Sequence, residues 1–131
     1  MKYMLLMTGR KTDFAEFLRW SKEDLERNTA FMRDFTQELR DAGTFVAAEG
    51  LAFPEEAKLV RAGSDGAPIT DGVFPESKEF LAGYWIVDVE SAEEAYRIAA
   101  RASQAPGPEG KPGNMPIEVR RIMSGAEEFL C

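Results

Sequence analysis

From Thr70 to Ser91 the chain reads TDGVFPESKEFLAGYWIVDVES, a stretch in which a charge-dense turn runs straight into the most apolar strand. Asp71 is followed by Gly72, then by Glu76, Lys78 and Glu79, and Tyr84 stands within an apolar run. A carboxylate stripped of water at a cleft edge has a raised pKa and can give or take a proton. Asp71 is therefore the candidate catalytic residue. Lys78 is suited either to an anionic ligand or to pairing with Asp71 to hold the turn, because a charge leading into a buried strand must be at the rim or partnered. Tyr84 offers a hydroxyl to orient a small polar ligand. Gly72, Lys78, Glu79 and Tyr84, with Glu49 from AAEGLAF, make the candidate ligand-binding set.

Each of these residues also has a plain structural reading. Asp-Gly is a favoured chain reversal, since Gly accepts positive φ and Asp bonds its own downstream amides. Glu76, Lys78 and Glu79 suit a solvated strand entrance, and Tyr84 a core or interface aromatic. Glu49 lies outward at a strand edge, or turns toward Arg61 or the cleft. Phe45, Phe53, Phe74, Phe80 and Trp85 either line a pocket or fill the core.

What is missing narrows the chemistry further. The sequence has no histidine, which removes Ser-His-Asp and Cys-His catalysis and the His-x-x-x-His metal site. No glycine-rich phosphate loop opens a helix, and the acidic residues show no metal-ligand spacing. Neither a metal nor a cofactor is expected. Proton transfer near neutral pH would fall to a carboxylate, lysine, tyrosine or substrate group.

The elements that must position these residues follow from pattern. MKYMLLM is apolar on both alternating sets, the mark of a central strand buried on both faces. Asp13 and Glu16 suit the start of a short turn carrying Phe14, Phe17 and Leu18. Ser21 and Asp24 suit the start of a long helix whose Leu25, Met32, Phe35, Leu39 and Ala42 share one face and which ends at Gly43. TFVAAEGLAF reads as a strand, AKLVRAG as a shorter one hairpin-linked to it, and SDGAP and TDGVFP as turns. EFLAGYWIVDV is the strongest strand. Ser91 and Glu94 open a second helix with Ala92, Ala95, Ile98, Ala99 and Ala102 inward, where Glu93 and Arg97 are placed to pair. The segment from Pro106 to Pro116 is a connector or a lid. PIEVRRIM closes the sheet.

The order β-α-β-(β)-β-α-β predicts an α+β fold, a ferredoxin-like split βαβ sandwich occupying residues 1–131 as one domain. Two helices cover only one sheet face. A second copy of the chain is the simplest cover for the other, so a homodimer is expected. A net charge of −7, from 16 basic and 23 acidic residues, argues against nucleic acid and anionic membranes as partners. The lone Cys131 asks for no oxidising compartment. The five-residue apolar run near the start falls short of the about 7–15 that a signal peptide needs. A cytoplasmic protein is expected.

From Asp71 to Ala100 the chain resembles the YCII-related family, and within it the DGPF type. Asp71, Gly72, Val73 and Phe74 stand where that type has Asp-Gly-Pro-Phe, with Val73 in place of the proline. Glu76, Lys78, Glu79, Gly83, Tyr84, Ser91, Glu94 and Ala95 continue the pattern, and MKYMLLM, EGLAF and IEVRRI extend it. The resemblance implies a dimeric α/β barrel with a cleft near the Asp71–Gly72 turn. The DGPF type is often encoded beside sigma factors, which points to a regulatory setting. The His-Asp lyase or dehydrohalogenase chemistry of some relatives does not carry over to a chain without histidine. Three functions stay open: binding a small molecule, a cofactor-free isomerase or lyase-like enzyme using Asp71 with Tyr84 or Lys78, and a protein-interaction subunit without ligand.

Overall fold

The computed structural model describes residues 1–71 and 79–130, with only the backbone at Asp71. Its elements are β1 (Lys2–Gly9), α1 (Lys11–Phe17), α2 (Lys22–Asp41), β2 (Phe45–Gly50), β3 (Leu59–Ala62), β4 (Pro68–Asp71), β5 (Phe80–Asp88), α3 (Ala92–Ser103) and β6 (Ile117–Arg121). Four strands form one antiparallel sheet in the order β2-β5-β1-β6. That order places β5 between β2 and β1, as the split βαβ pattern requires. The described residues form an α+β fold with three α-helices, and among them no strand pairs with the outer edge of β2 or β6.

Register decides which side chains meet the helices. Tyr3 pairs with Val87 and Leu5 with Trp85 and Val119, so these five share the face that receives α2 and α3. Phe35 and Leu39 of α2 and Ala95, Ala99 and Ala102 of α3 join Tyr3, Leu5, Trp85 and Val87 in one buried cluster. Phe35 meets Trp85 edge-on, with ring centroids 5.4 Å apart. The small alanines of α3 let that helix lie close to the strands.

The helix ends obey local chemistry. Ser21 Oγ accepts the Asp24 N–H at 3.1 Å, and Ser91 Oγ accepts the Glu94 N–H at 3.2 Å. Each such cap is worth about 1 kcal/mol. The Glu94 carboxylate accepts from the Glu90 N–H, one residue before the cap, so the expected capping box closes one position early. Gly43 adopts φ 74°, and the amides of Gly43 and Thr44 return to the carbonyls of Arg40 and Leu39. This paired return is a Schellman ending, which favours glycine because the left-handed conformation costs it nothing.

Several expectations change. β3 pairs with β4, not with β2, and the two form a separate ribbon closed by the Asp65–Gly66 turn. The missed strand β4 contains only four residues and opens with Pro68, a sequence that reads as turn. Asp71 accordingly ends a strand. The first helix is capped at Arg10, whose N–H donates to the Asp13 carboxylate at 2.8 Å. Glu93 and Arg97 do not pair. Arg101, one turn further, reaches Glu38 of α2 at 3.0 Å and lies 4.7 Å over the Phe31 ring. The Pro106–Pro116 connector is docked on α2: Asn28 Nδ2 donates to the Pro106 carbonyl and the Glu109 N–H to Asp24.

After β6 the chain turns back on itself. Arg121 Nη1 donates to Glu128 at 3.1 Å, and the same carboxylate accepts the Ser124 N–H. The Arg121 hydrogen bond and then the Ser124 amide hold the Glu128 carboxyl down from an ordinary 4.5 to about 2. A carboxyl depressed in the folded state adds stability above its unfolded pKa and loses it as pH falls through the folded one. Wild type is therefore expected to melt above Glu128→Gln at neutral pH, with the gap closing between about pH 4.5 and about pH 2. Paired thermal melts across that range check this.

Candidate functional site

Where β2 ends and β5 begins, the sheet opens into a hollow of about 310 Å³. Its wall is made by Leu51, Phe53, Pro54, Ala57, Phe80 and Leu81, and among the described residues Glu56 is its one charged lining residue. Pro54 starts a tight 3-10 turn, Pro54–Glu56, that folds the chain back after β2. Phe53 is braced from outside by α1, its ring 5.9 Å from that of Phe14 and 6.3 Å from that of Phe17, both nearly perpendicular. Edge-to-face stacking of this kind fixes ring orientation, so the hollow has a stiff aromatic wall.

Glu49 and Tyr84 lie directly opposite each other on β2 and β5. Both point to the sheet face away from α2 and α3. Glu49 is exposed on its edge strand rather than paired with Arg61, and Tyr84 is half-buried. Glu79 is exposed and immediately precedes Phe80 of the hollow. Asp71 stands opposite Leu59 on the separate ribbon, so the described residues do not join it to Glu49 and Tyr84. Gly72, Phe74, Glu76 and Lys78 lie outside the described residues. Among the expected aromatics, Phe53 and Phe80 line the hollow, whereas Trp85 is in the core and Phe45 packs against it.

The sequence reading missed Leu51, Pro54, Ala57 and Leu81. The available signal was EGLAFPEE, where a strand ends on a glycine, an aromatic and a proline together. It also underrated Gly83. A Cβ there would lie 2.8 Å from the Glu49 carbonyl oxygen and 3.4 Å from Gly50 Cα. Gly83 pairs with Gly50, so the two backbones meet glycine to glycine. This contact sets the spacing between the Glu49–Tyr84 pair and the hollow.

A second groove, about 270 Å³, lies between α2 and α3 over Phe35, Leu39 and Ile98. Its rim includes the Arg101–Glu38 ion pair, which ties the two helices across it. Among the described residues, no three His, Cys, Asp or Glu side chains gather as a metal site. No described helix is long and apolar enough to cross a membrane.

A layer of two long helices on an antiparallel sheet of order β2-β5-β1-β6, with an apolar hollow at one sheet end, is an α+β architecture compatible with a ferredoxin-like fold. The model of the YCII-related domain matches residues 1–107, and the chain belongs to that family. It is also 32% identical over 106 residues to an uncharacterised protein of Rhizobium meliloti, a match covering 79% of each chain. The segment after residue 107, with β6 and the Arg121–Glu128 clamp, lies beyond the matched domain.

Because the Glu49 carbonyl leaves no room for a methyl at position 83, Gly83→Ala is expected to force β2 away from β5. The cost of such overpacking is about 1–3 kcal/mol. Urea unfolding of the variant against wild type measures it, and an unchanged midpoint would show that the close approach carries no constraint.

Proposed function

We propose that this protein is a homodimer that binds a small molecule at the β2–β5 end of the sheet, near the Asp71–Gly72 turn, and acts in a regulatory setting in the cytoplasm. The hollow carries this reading. It is walled by aromatic and aliphatic side chains, it is braced by α1, and its Phe80–Leu81 wall comes nine residues after Asp71 in the chain. Pockets for small ligands are mostly apolar, with few polar groups to set orientation. Here Glu56 lines the hollow, Glu79 directly precedes Phe80, and Glu49 and Tyr84 come two residues before Leu51 and three after Leu81. The apolar lining selects a ligand with an aromatic or aliphatic body.

The homodimer rests on the other sheet face. Met4, Leu6, Ala47, Tyr84 and Ile86 alternate with the core residues on the same strands and are only half-buried. Both long helices lie on the opposite side. Two such faces stacked by a two-fold axis would shield each other, with the paired sheets closing toward a dimeric α/β barrel.

Two measurements test the reading. In a thermal-shift screen of small aromatic and carboxylic metabolites, a ligand at 100 times its Kd adds about 2.7 kcal/mol, or roughly 10 °C in Tm for a domain of this size. Leu81→Trp, which fills the hollow, is expected to abolish the shift; a screen without hits removes the ligand from the proposal. Sedimentation at low micromolar concentration is expected to give twice the 14.6 kDa chain mass, and a single monomeric species would remove the dimer.

A further inference from the structure

The β3–β4 ribbon buries little of its own apolar surface. Leu59, Val60 and Ile69 are 38%, 56% and 49% exposed. No residue from Leu59 to Thr70 is buried. Val60 lies opposite Thr70, and Arg61 opposite Ile69. Leu59 and Ile69 therefore share one face of the ribbon and Val60 occupies the other, leaving apolar side chains on both. A two-stranded ribbon is marginally stable at best in water unless it packs on something. Its tight turn, in which the Ala67 N–H donates to Asp65 at 3.0 Å and Gly66 takes φ 83°, fixes the register but buries nothing.

We infer that this ribbon is an arm that packs against a second copy of the chain, beside the open sheet face; the inference rests on the homodimer proposed above. Area argues for a second copy. Four strands about 4.8 Å apart, from five residues long in β6 to nine in β5 at about 3.3 Å per residue, project on the order of 450 Å². A stable interface buries about 800 Å² on each partner. The open face alone leaves a shortfall, and a neighbouring apolar surface must supply it. The ribbon leaves the sheet from the end of β2 and the chain re-enters the sheet at β5, so it starts where the open face ends. One two-fold operation then covers both arms and both faces at once, without a partner of different sequence.

The test compares wild type with the double variant Val60→Glu, Ile69→Glu by sedimentation equilibrium. Both positions are exposed in the single chain, so the monomer fold is expected to survive, which circular dichroism checks. The arm predicts a dimer Kd weakened by about tenfold or more. It also predicts that amides of Val60 to Thr70 in wild type exchange more slowly as concentration rises through the Kd, a readout that needs no variant. A wild-type dimer with unchanged Kd in the variant, or with concentration-independent exchange in the ribbon, overturns the arm and leaves the dimer standing. A wild type that stays monomeric at every concentration overturns both.

Discussion

Leu5 and Val87 are fully shielded on one side of the sheet, while Met4, Leu6 and Ile86, alternating with them on the same strands, have no helix above them. A strand turns successive side chains to opposite faces. A central strand apolar on both sides from Tyr3 to Met7 is the pattern of a strand covered on both faces. The chain supplies helices for one. α2 and α3 stack Phe35, Leu39 and three alanines onto the Tyr3–Leu5–Trp85–Val87 face, and among the described residues no comparable layer covers the other. The strand order, the helix caps and the Gly43 ending are all arranged around the filled face. The half-filled one is what makes association and ligand binding the natural subjects for this fold.

The parts of the fold read correctly from sequence were those in which one residue type does one local job. Gly43 in the left-handed region, Ser21 and Ser91 as caps, and the inward alanines of α3 all behave as their types dictate. Pairing partners were harder. The β3 segment has no strong period, and its neighbour along the chain, β2, was the obvious mate. Its actual mate, β4, is only four residues long and begins with proline, so it gave almost no strand signal. The Asp-Gly turn that closes this ribbon was legible; the strands on either side were not.

The candidate site shows the same division. Phe53 and Phe80 were recognisable as pocket material by type, but so were Phe45 and Trp85, and only register and tertiary packing separate the two pairs. Glu49 and Tyr84 fall side by side through pairing between β2 and β5, a contact across 35 positions of sequence that no local motif encodes. Gly83 was visible only as one position in a pattern. Its reason is physical: the Glu49 carbonyl occupies the space that any other residue's Cβ would need.

Charge placement on the open face adds a constraint on how copies can meet. Its middle columns, on β1 and β5, carry Met4, Leu6, Tyr84 and Ile86, with the Lys2–Asp88 pair confined to one end. Its edge strands carry Glu49 on one side and Glu118 with Arg120 on the other. An unprotected sheet edge is a template for strand addition, and charged residues on edge strands are a common guard against it. An apolar centre with a charged rim is also the usual anatomy of a protein interface. The same few side chains therefore discourage growth edge to edge, which would give open-ended sheets, and leave face-to-face stacking available, which closes after two copies. A net charge of −7 acts in the same direction, since repulsion between like-charged chains disfavours extended assembly more than a compact pair. The pattern of greasy centre and charged margin would thus favour a closed pair over open-ended growth in the proposed dimer, before any particular contact between copies is specified.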